Sequence, residues 1–284
     1  MTDPATRPAR EVTVLIGGDE MSRIDQAAQG LGLSPDALME SAGAAVAELA
    51  LAELANIAEP ASGPGGPLAA APLTVIWCGP GNNGGDGFVV ARRLAAAGRA
   101  VTAVLVGDPA RIGESAAAHN WAVLQAMASG GSLSLFVAPT PELLLQLRTR
   151  LSPASLLIDA LLGSGAAGPL REPISSAVDL LNAIVTHARA AGRPCRVLAI
   201  DTPTRIDLTD GTRSDPVVAA DLTVTFHRAK AGFALDPEAR RLAGRYFVAP
   251  IGIPLEAEDG IVPPDGEHPP ARITQVNWQE PGAA

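Results

Sequence analysis

Leu73-Thr74-Val75-Ile76-Trp77-Cys78-Gly79-Pro80-Gly81-Asn82-Asn83-Gly84-Gly85-Asp86-Gly87 is the stretch that decides the fold. Its first six residues are a short apolar run of the length of a buried strand. Five glycines then fall within nine residues, and a helical segment follows over residues 88–97. Glycines let the backbone approach a ligand and adopt positive φ. The N-terminus of the helix after them offers unpaired N–H groups to a phosphate. An ordinary strand-to-helix turn rarely needs nine residues, so the loop reads as a binding loop.

The same rhythm continues downstream. Residues 100–106 are apolar and lead to a helical segment at 115–127; residues 133–137 lead to Thr140-Pro141-Glu142, an N-cap with Pro in the first turn, and a helix to about Leu151. Leu156-Leu157-Ile158, a helix over 173–190, Val197-Leu198-Ala199-Ile200, residues 222–226 and Tyr246-Phe247-Val248 complete the series. Buried strands alternating with helices predict a mainly parallel, doubly wound sheet covered on both faces. Upstream, Met21, Ile24, Asp25 and Ala28 share a helical spacing. Ser34 caps a second helix with Pro35 and Asp36 in its first turn, and Leu38, Ala42, Val46, Leu49 and Ala52 form its apolar stripe. These two leading helices are expected to dock on the unit at 73–254, giving a domain over 12–254. Residues 1–11 and 255–284, rich in Pro, Gly and charge, read as loosely ordered tails, and residues 59–72 as a linker.

The 284 residues are 47% hydrophobic and 18% charged, enough for a sizeable core. A net charge of −9 argues against nucleic acid or an anionic membrane as partner. No signal peptide is visible, and no apolar run reaches the ~18 residues of a membrane span. Two cysteines, Cys78 and Cys195, allow no disulfide scaffold and read as small core residues. The expectation is a soluble protein of a reducing compartment, the cytoplasm. His119, His187, His227 and His268 are scattered without metal-site spacing and read as surface or helix residues. Lys230, the sole lysine, reads as compositional bias.

In open α/β sheets ligands bind at the carboxyl ends of the strands. Two further strands end in an acid there: Ile158 runs into Asp159, and Ile200 into Asp201. These carboxylates, the Asn83 amide oxygen and the Thr204 hydroxyl could supply hard oxygen ligands or a general acid. Gly79, Gly81 and Gly84 also match G-x-G-x-x-G, with Asp108 roughly 20 residues on where a ribose-binding acid might stand. That reading, a hydride-transferring dehydrogenase on NAD(P), stays open at this stage. A P-loop is excluded, because no Lys-Ser/Thr pair follows the glycines, and no Gly-x-Ser-x-Gly elbow is present.

Taken together these residues resemble one family, the NAD(P)H-hydrate epimerases, the N-terminal-type domain of bifunctional nicotinamide nucleotide repair enzymes. The resemblance rests on Gly81-Asn82-Asn83-Gly84-Gly85-Asp86-Gly87 with Ala91-Arg92, on Asp159-Ala160-Leu161-Leu162-Gly163-Ser164-Gly165 with Pro169-Leu170-Arg171-Glu172-Pro173, and on Ala199-Ile200-Asp201-Thr202-Pro203. Residues 221–226, Lys230 with Gly232, Ile251-Gly252-Ile253-Pro254 and the leading segments around Glu20-Met21 and Leu38-Met39-Glu40-Ser41 support it. It implies a three-layer α/β/α Rossmann-like fold, usually a homodimer, and interconversion of the R and S forms of NADHX or NADPHX for a separate dehydratase. By the same resemblance Asn82, Asn83, Gly84, Gly85 and Asp86 bind substrate, together with Gly163, Ser164, Gly165, Ala166, Ala167, Gly168, Pro169 and Asp201. Asn83, Asp159 and Thr204 would hold one potassium ion per subunit. Asp201 would be the catalytic residue, since Asp159 is better occupied as the cation's ligand. The chain departs from the family at Ser41, usually Asn, at Thr204, usually Ser, and at Arg205, usually Gly. Arg205 sets a long cation beside the expected ion and substrate, so a catalytically silent binding or scaffold member of the same fold is the other alternative.

Overall fold

Strand β1 (Leu73–Cys78) lies inside an eight-stranded sheet, because its side chains are apolar on both faces and need cover on each. The computed structural model describes residues 14–58, 71–163, 169–264 and 266–278. The sheet order is β3 (Ser134–Val137), β2 (Ala100–Leu105), β1, β4 (Leu156–Ala160), β5 (Arg196–Ile200), β6 (Leu222–Phe226), β7 (Arg245–Ala249) and β8 (Thr274–Gln275). Every pairing is parallel except β7 with β8.

Two leading helices, α1 (Gly18–Gly30) and α2 (Pro35–Ala58), precede the sheet. After β1 come α3 (Asn82–Ala96), α4 (Ala116–Ser129), α5 (Pro141–Leu151), α6 (Ile174–Ala190), α7 (Ala231–Leu235) and α8 (Pro237–Ala243). Ile76 and Cys78 of β1 face one core, shared with α1 to α4; Val75 and Trp77 face the other, shared with α5 and α6. This is the three-layer, mainly parallel, doubly wound arrangement that the sequence predicts.

Local signals act as expected. The Ser34 hydroxyl accepts from Ala37 N (3.2 Å) and Thr140 Oγ1 from Leu143 N (3.5 Å), starting α2 and α5. The stripe Leu38, Ala42, Val46 and Leu49 is buried, and α2 lies along α3. Each Leu or Val so buried stabilises the fold by about 1.5–3 kcal/mol.

Three expectations change. First, α3 begins at Asn82, so the glycine stretch is the helix's own first turns and not a long loop. None of its five glycines has positive φ. Second, the segment after residue 254 is packed where it is described. Ala257, Val262, Ile273 and Val276 are buried, and β8 pairs with β7. Its Pro- and Gly-rich sequence hides a few well-spaced apolar anchors. Residues 1–11 and 279–284 lie outside the described residues. Third, His227 is buried at the end of β6. Cys78 and Cys195 are free and buried, as expected, and no described helix is long and apolar enough to cross a membrane.

Strand order reverses between β1 and β4, the topological switch point where open sheets leave a crevice. All the strand-end residues singled out above stand at this end.

Candidate active site

Close backbone approach builds the crevice. Gly79 N donates to Ala160 O (2.9 Å), tying the ends of β1 and β4. A Cβ on Gly79 would stand 2.0 Å from Leu161 O, and one on Gly84 only 1.7 Å from Gly79 O. These glycines are obligatory for contact, not for conformation. Gly85 packs instead against side chains, the Met39 thioether end and the Ala117 methyl. Gly84 and Gly85 therefore hold α3 in place, and they are not among the residues lining the cavity above it.

That cavity has a volume of about 550 Å3. Asn82, Asn83 and Asp86 reach it from α3, Asp25 from α1, Gly163 from the loop after β4, and Asp201 from the end of β5. Asp201 sits at φ +64, a left-handed backbone that an L side chain rarely adopts, and its Oδ1 accepts from Thr225 Oγ1 (3.0 Å). Strain of this kind, held by surrounding structure, gathers where a side chain must be aimed.

Asp159 does not reach the cavity. It is fully buried and accepts from Thr204 N (2.7 Å), Thr204 Oγ1 (2.7 Å) and Leu161 N (3.2 Å). Leu162 N donates in turn to Thr204 Oγ1 (3.2 Å). The pair thus pins the loop after β5 to the loop after β4. Burial raises the Asp159 carboxyl to about 6, against the lowering effect of these three bonds. Asn83 is buried, and neither its Nδ2 nor its Oδ1 has a hydrogen-bond partner among the described residues. A Cβ on Gly163 would lie 3.4 Å from that orphaned oxygen. Thr204 lies against Leu162 and Asn83 against Gly163, neighbouring residues of the loop after β4. A buried, unpaired amide oxygen, a hydroxyl and one carboxylate, with no thiolate or imidazole, are donors suited to a hard cation of low charge. Among the described residues no cluster of three His, Cys, Asp or Glu could hold a metal ion.

Of the remaining expected residues, Pro169 lines a neighbouring cavity, and Ser164, Gly165, Ala166, Ala167 and Gly168 lie outside the described residues. Asp108 accepts from Ala110 N (2.9 Å) and caps a short 3₁₀ turn, Pro109–Ile112. Ser41 donates to Ala37 O (2.8 Å) within its own helix. Arg205, at φ +82, donates from Nε to Ser214 Oγ (2.8 Å) and lines the neighbouring cavity, not the one that holds Asn83 and Asp201.

Sequence reasoning missed Asp25 and Lys230 as site residues. Lys230 is fully buried behind the cavity, with Nζ donating to Phe226 O and Arg228 O (2.8 Å each). Burial lowers its ammonium to about 8, while the Asp201 and Asp25 carboxylates oppose that fall. Burial likewise raises Asp25 to about 6, against the pull of Lys230 and helped by Asp201. Asp86 is raised well above the usual carboxylate range, by burial first and then by Asp201 and Asp25. The signal for Asp25 was an acid on a buried helical stripe; for Lys230 it was the lone lysine of the chain. Ile16 pairs with Lys230 through Ile16 N to Ala229 O (3.1 Å) and Ala231 N to Ile16 O (2.9 Å), which seats α1 beside the cavity.

A doubly wound α/β protein with a polar cavity at its switch point, built on a glycine helix and strand-end carboxyls, is the class that fold and site define. The chain belongs to the family described as YjeF-related protein N-terminus, which matches residues 35–232. It is 36% identical over 248 residues to the NAD(P)H-hydrate epimerase of Cenarchaeum symbiosum, covering 86% of this chain and 97% of that one. The NAD(P)H-hydrate epimerase of Nitrosopumilus maritimus is 32% identical over 257 residues, covering 89% and 100%. The bifunctional NAD(P)H-hydrate repair enzyme Nnr of Pyrobaculum aerophilum is 39% identical over 250 residues, 87% of this chain but 43% of that enzyme. Among solved structures, the crystal structure of yeast ynu0, YNL200c, superposes with a TM-score of 0.70 over 93% of this chain and 100% of that one, at 19% identity, a likeness of fold.

Proposed function

We propose that this chain is an NAD(P)H-hydrate epimerase, an isomerase that interconverts the R and S forms of NADHX or NADPHX as a cofactor-repair reaction. The observation that carries the reading is the gathering of Asn82, Asn83, Asp86 and Asp201 on one cavity at the switch point, in a chain matched over 86–89% of its length by proteins named for this reaction.

The chemistry asks little of the protein beyond proton handling. C6 of the hydrated ring bears a hydroxyl and adjoins the ring nitrogen, so it is a hemiaminal carbon. The hydroxyl takes a proton and departs as water, and the nitrogen lone pair forms the C6–N double bond of a planar iminium. Water then adds to the other face and gives up a proton, so acid and base are regenerated. Asp201 is assigned both transfers in turn. Its aimed side chain and its hydrogen bond from Thr225 support that role. Asp86 and Asp25, both raised above the ordinary carboxylate range by burial, line the same cavity. Asn82 and Gly163 present amide and backbone groups to the substrate. Asn83, Asp159 and Thr204 would hold a potassium ion, supported by the unpaired Asn83 amide; the ion would supply a fixed positive charge beside the substrate. A cytoplasmic homodimer acting with a separate dehydratase completes the reading, supported by the free thiols and by the bifunctional make-up of the Nnr relatives.

Asp201→Asn keeps the shape and removes the proton-transferring carboxyl, so epimerisation should slow by roughly 10²-fold or more while substrate binding stays nearly intact. The rate is followed by separating the two NADHX epimers with time. A wild-type rate in Asp201→Asn overturns the assignment of Asp201, and absence of epimerisation by the unaltered protein overturns the function.

A further inference from the structure

A second cavity, of about 290 Å3, adjoins the first and shares Pro80, Arg111 and Leu162 with it. Three arginines line it: Arg111 from the 3₁₀ turn after β2, Arg171 from the approach to α6, and Arg205 from the loop after β5. The chain as a whole carries −9, so three guanidinium groups from separate segments around one cavity run against its general charge. Most arginines that meet a described partner pair with carboxylates, as Arg92 and Arg93 do with Glu40, Arg189 with Asp221 and Arg245 with Glu53. Among the described residues, none of these three has a carboxylate within ion-pair distance. The acid on the same wall, Glu172, accepts from Ser176 N (3.2 Å) in the first turn of α6.

Arg205 adds a second kind of observation. Its backbone is held at φ +82, a conformation that favours glycine, so a long cationic side chain is kept where a Cβ is unwelcome. Its Nε is fixed on Ser214 Oγ at 2.8 Å. That anchor leaves both terminal nitrogens for a bidentate contact with an oxyanion, the geometry in which guanidinium surpasses ammonium.

We infer that the Arg111–Arg171–Arg205 cavity is a phosphate subsite, which binds the anionic half of the nucleotide while its hydrated ring occupies the larger cavity. This rests on the epimerase reading for the identity of the ligand. Two phosphates of such a substrate have the right chemistry, the diphosphate common to NADHX and NADPHX and the 2′-phosphate found only in NADPHX.

The test is calorimetric binding of NADH and NADPH at fixed potassium to the unaltered protein and to Arg205→Gly, Arg171→Ala and Arg148→Ala. Glycine at 205 relieves the backbone, so a folded variant is expected, and Arg171 is exposed. Arg148, an exposed residue of α5, removes the same charge elsewhere. Arg205→Gly and Arg171→Ala should each weaken binding about 10-fold, while Arg148→Ala should not. Equal loss for both nucleotides assigns the diphosphate to the subsite, and loss confined to NADPH assigns the 2′-phosphate. Binding within twofold of wild type in both variants, an equal loss in Arg148→Ala, or no binding of either nucleotide to the unaltered protein overturns the subsite. Turnover of NADHX by the unaltered protein is read separately, so an arginine-dependent nucleotide site without epimerisation would fail the function and leave the subsite standing.

Discussion

A single methyl group sets the limit on how closely α3 can approach the end of β1. Gly84 has a backbone oxygen where its Cβ would go, whereas Gly81, at φ −94, has open space there. Gly84→Ala should therefore cost about 3 kcal/mol or more, because the obstacle is main chain and cannot rotate away. Gly81→Ala should stay within about 0.5 kcal/mol of wild type in urea unfolding. Equal effects at the two positions would refute the close-approach account. Asp25 makes a second prediction at this scale. The unfolded chain loses the Asp25 proton near 3.8, while the native protein keeps it up to about 6, burial being the main cause. The native state thus binds more protons between these values, and its stability relative to Asp25→Asn should fall as pH rises from 4 to 6, then level off. Two pH units correspond to about 3 kcal/mol; as Asp25 is only half-buried, ~1–2 kcal/mol is expected. Paired urea titrations at pH 4, 5, 6 and 7 measure it, and a difference independent of pH would contradict it.

Among the elements, the segment after β7 contributes a buried ion-pair network. Glu258 Oε2 accepts from Arg228 Nη2 (2.7 Å), and Oε1 takes Arg228 Nε and His227 Nε2 (the latter at 2.7 Å). Burial lowers His227 to about 4, although Glu258 pulls the other way, so the ring is neutral at pH 7 and donates Nε2–H to the carboxylate. Glu258→Ala would leave Arg228, 4% exposed, without its charge partner, and should cost about 3 kcal/mol in thermal or urea unfolding. A loss below ~0.5 kcal/mol would show that water reaches the arginine. This network was not legible in the sequence, because Glu258 stands in a Pro- and Gly-rich stretch and its partners lie about 30 residues away. The strands were legible, since parallel strands buried on both faces are unbroken apolar runs, and so were the capped starts of α2 and α5. Strand-end Asp159 and Asp201 could be found for the same reason: an acid at the edge of an apolar run is conspicuous. The start of α3 was misread, because glycine's poor helix propensity describes exposed helices. At Gly79 and Gly84 the absence of Cβ is required by tertiary contact with main chain, which overrides propensity.

At the scale of the whole molecule, the proposed cation links three separate segments, the start of α3, the end of β4 and the loop after β5. Binding to the native state alone stabilises by mass action. Melting temperature should then be a few degrees higher in potassium chloride than in sodium or choline chloride at matched ionic strength. Asn83→Ala should erase the difference, since it removes the unpaired oxygen. Identical melting in the three salts would remove the case for a selective site. One feature at the far side of the fold has a bearing on solubility. The two-residue β8 runs antiparallel to β7, with pairs Phe247 to Gln275 and Val248 to Thr274. Short as it is, it occupies hydrogen-bonding groups that a foreign strand would otherwise seek and leaves only a two-residue edge beyond them, so growth along that margin is disfavoured. The opposite margin, β3, has exposed residues at both ends, Ser134 and Val137. Self-association of stressed or partly unfolded protein through strand addition should therefore start at β3, and a lysine introduced on that margin would be the economical way to suppress it.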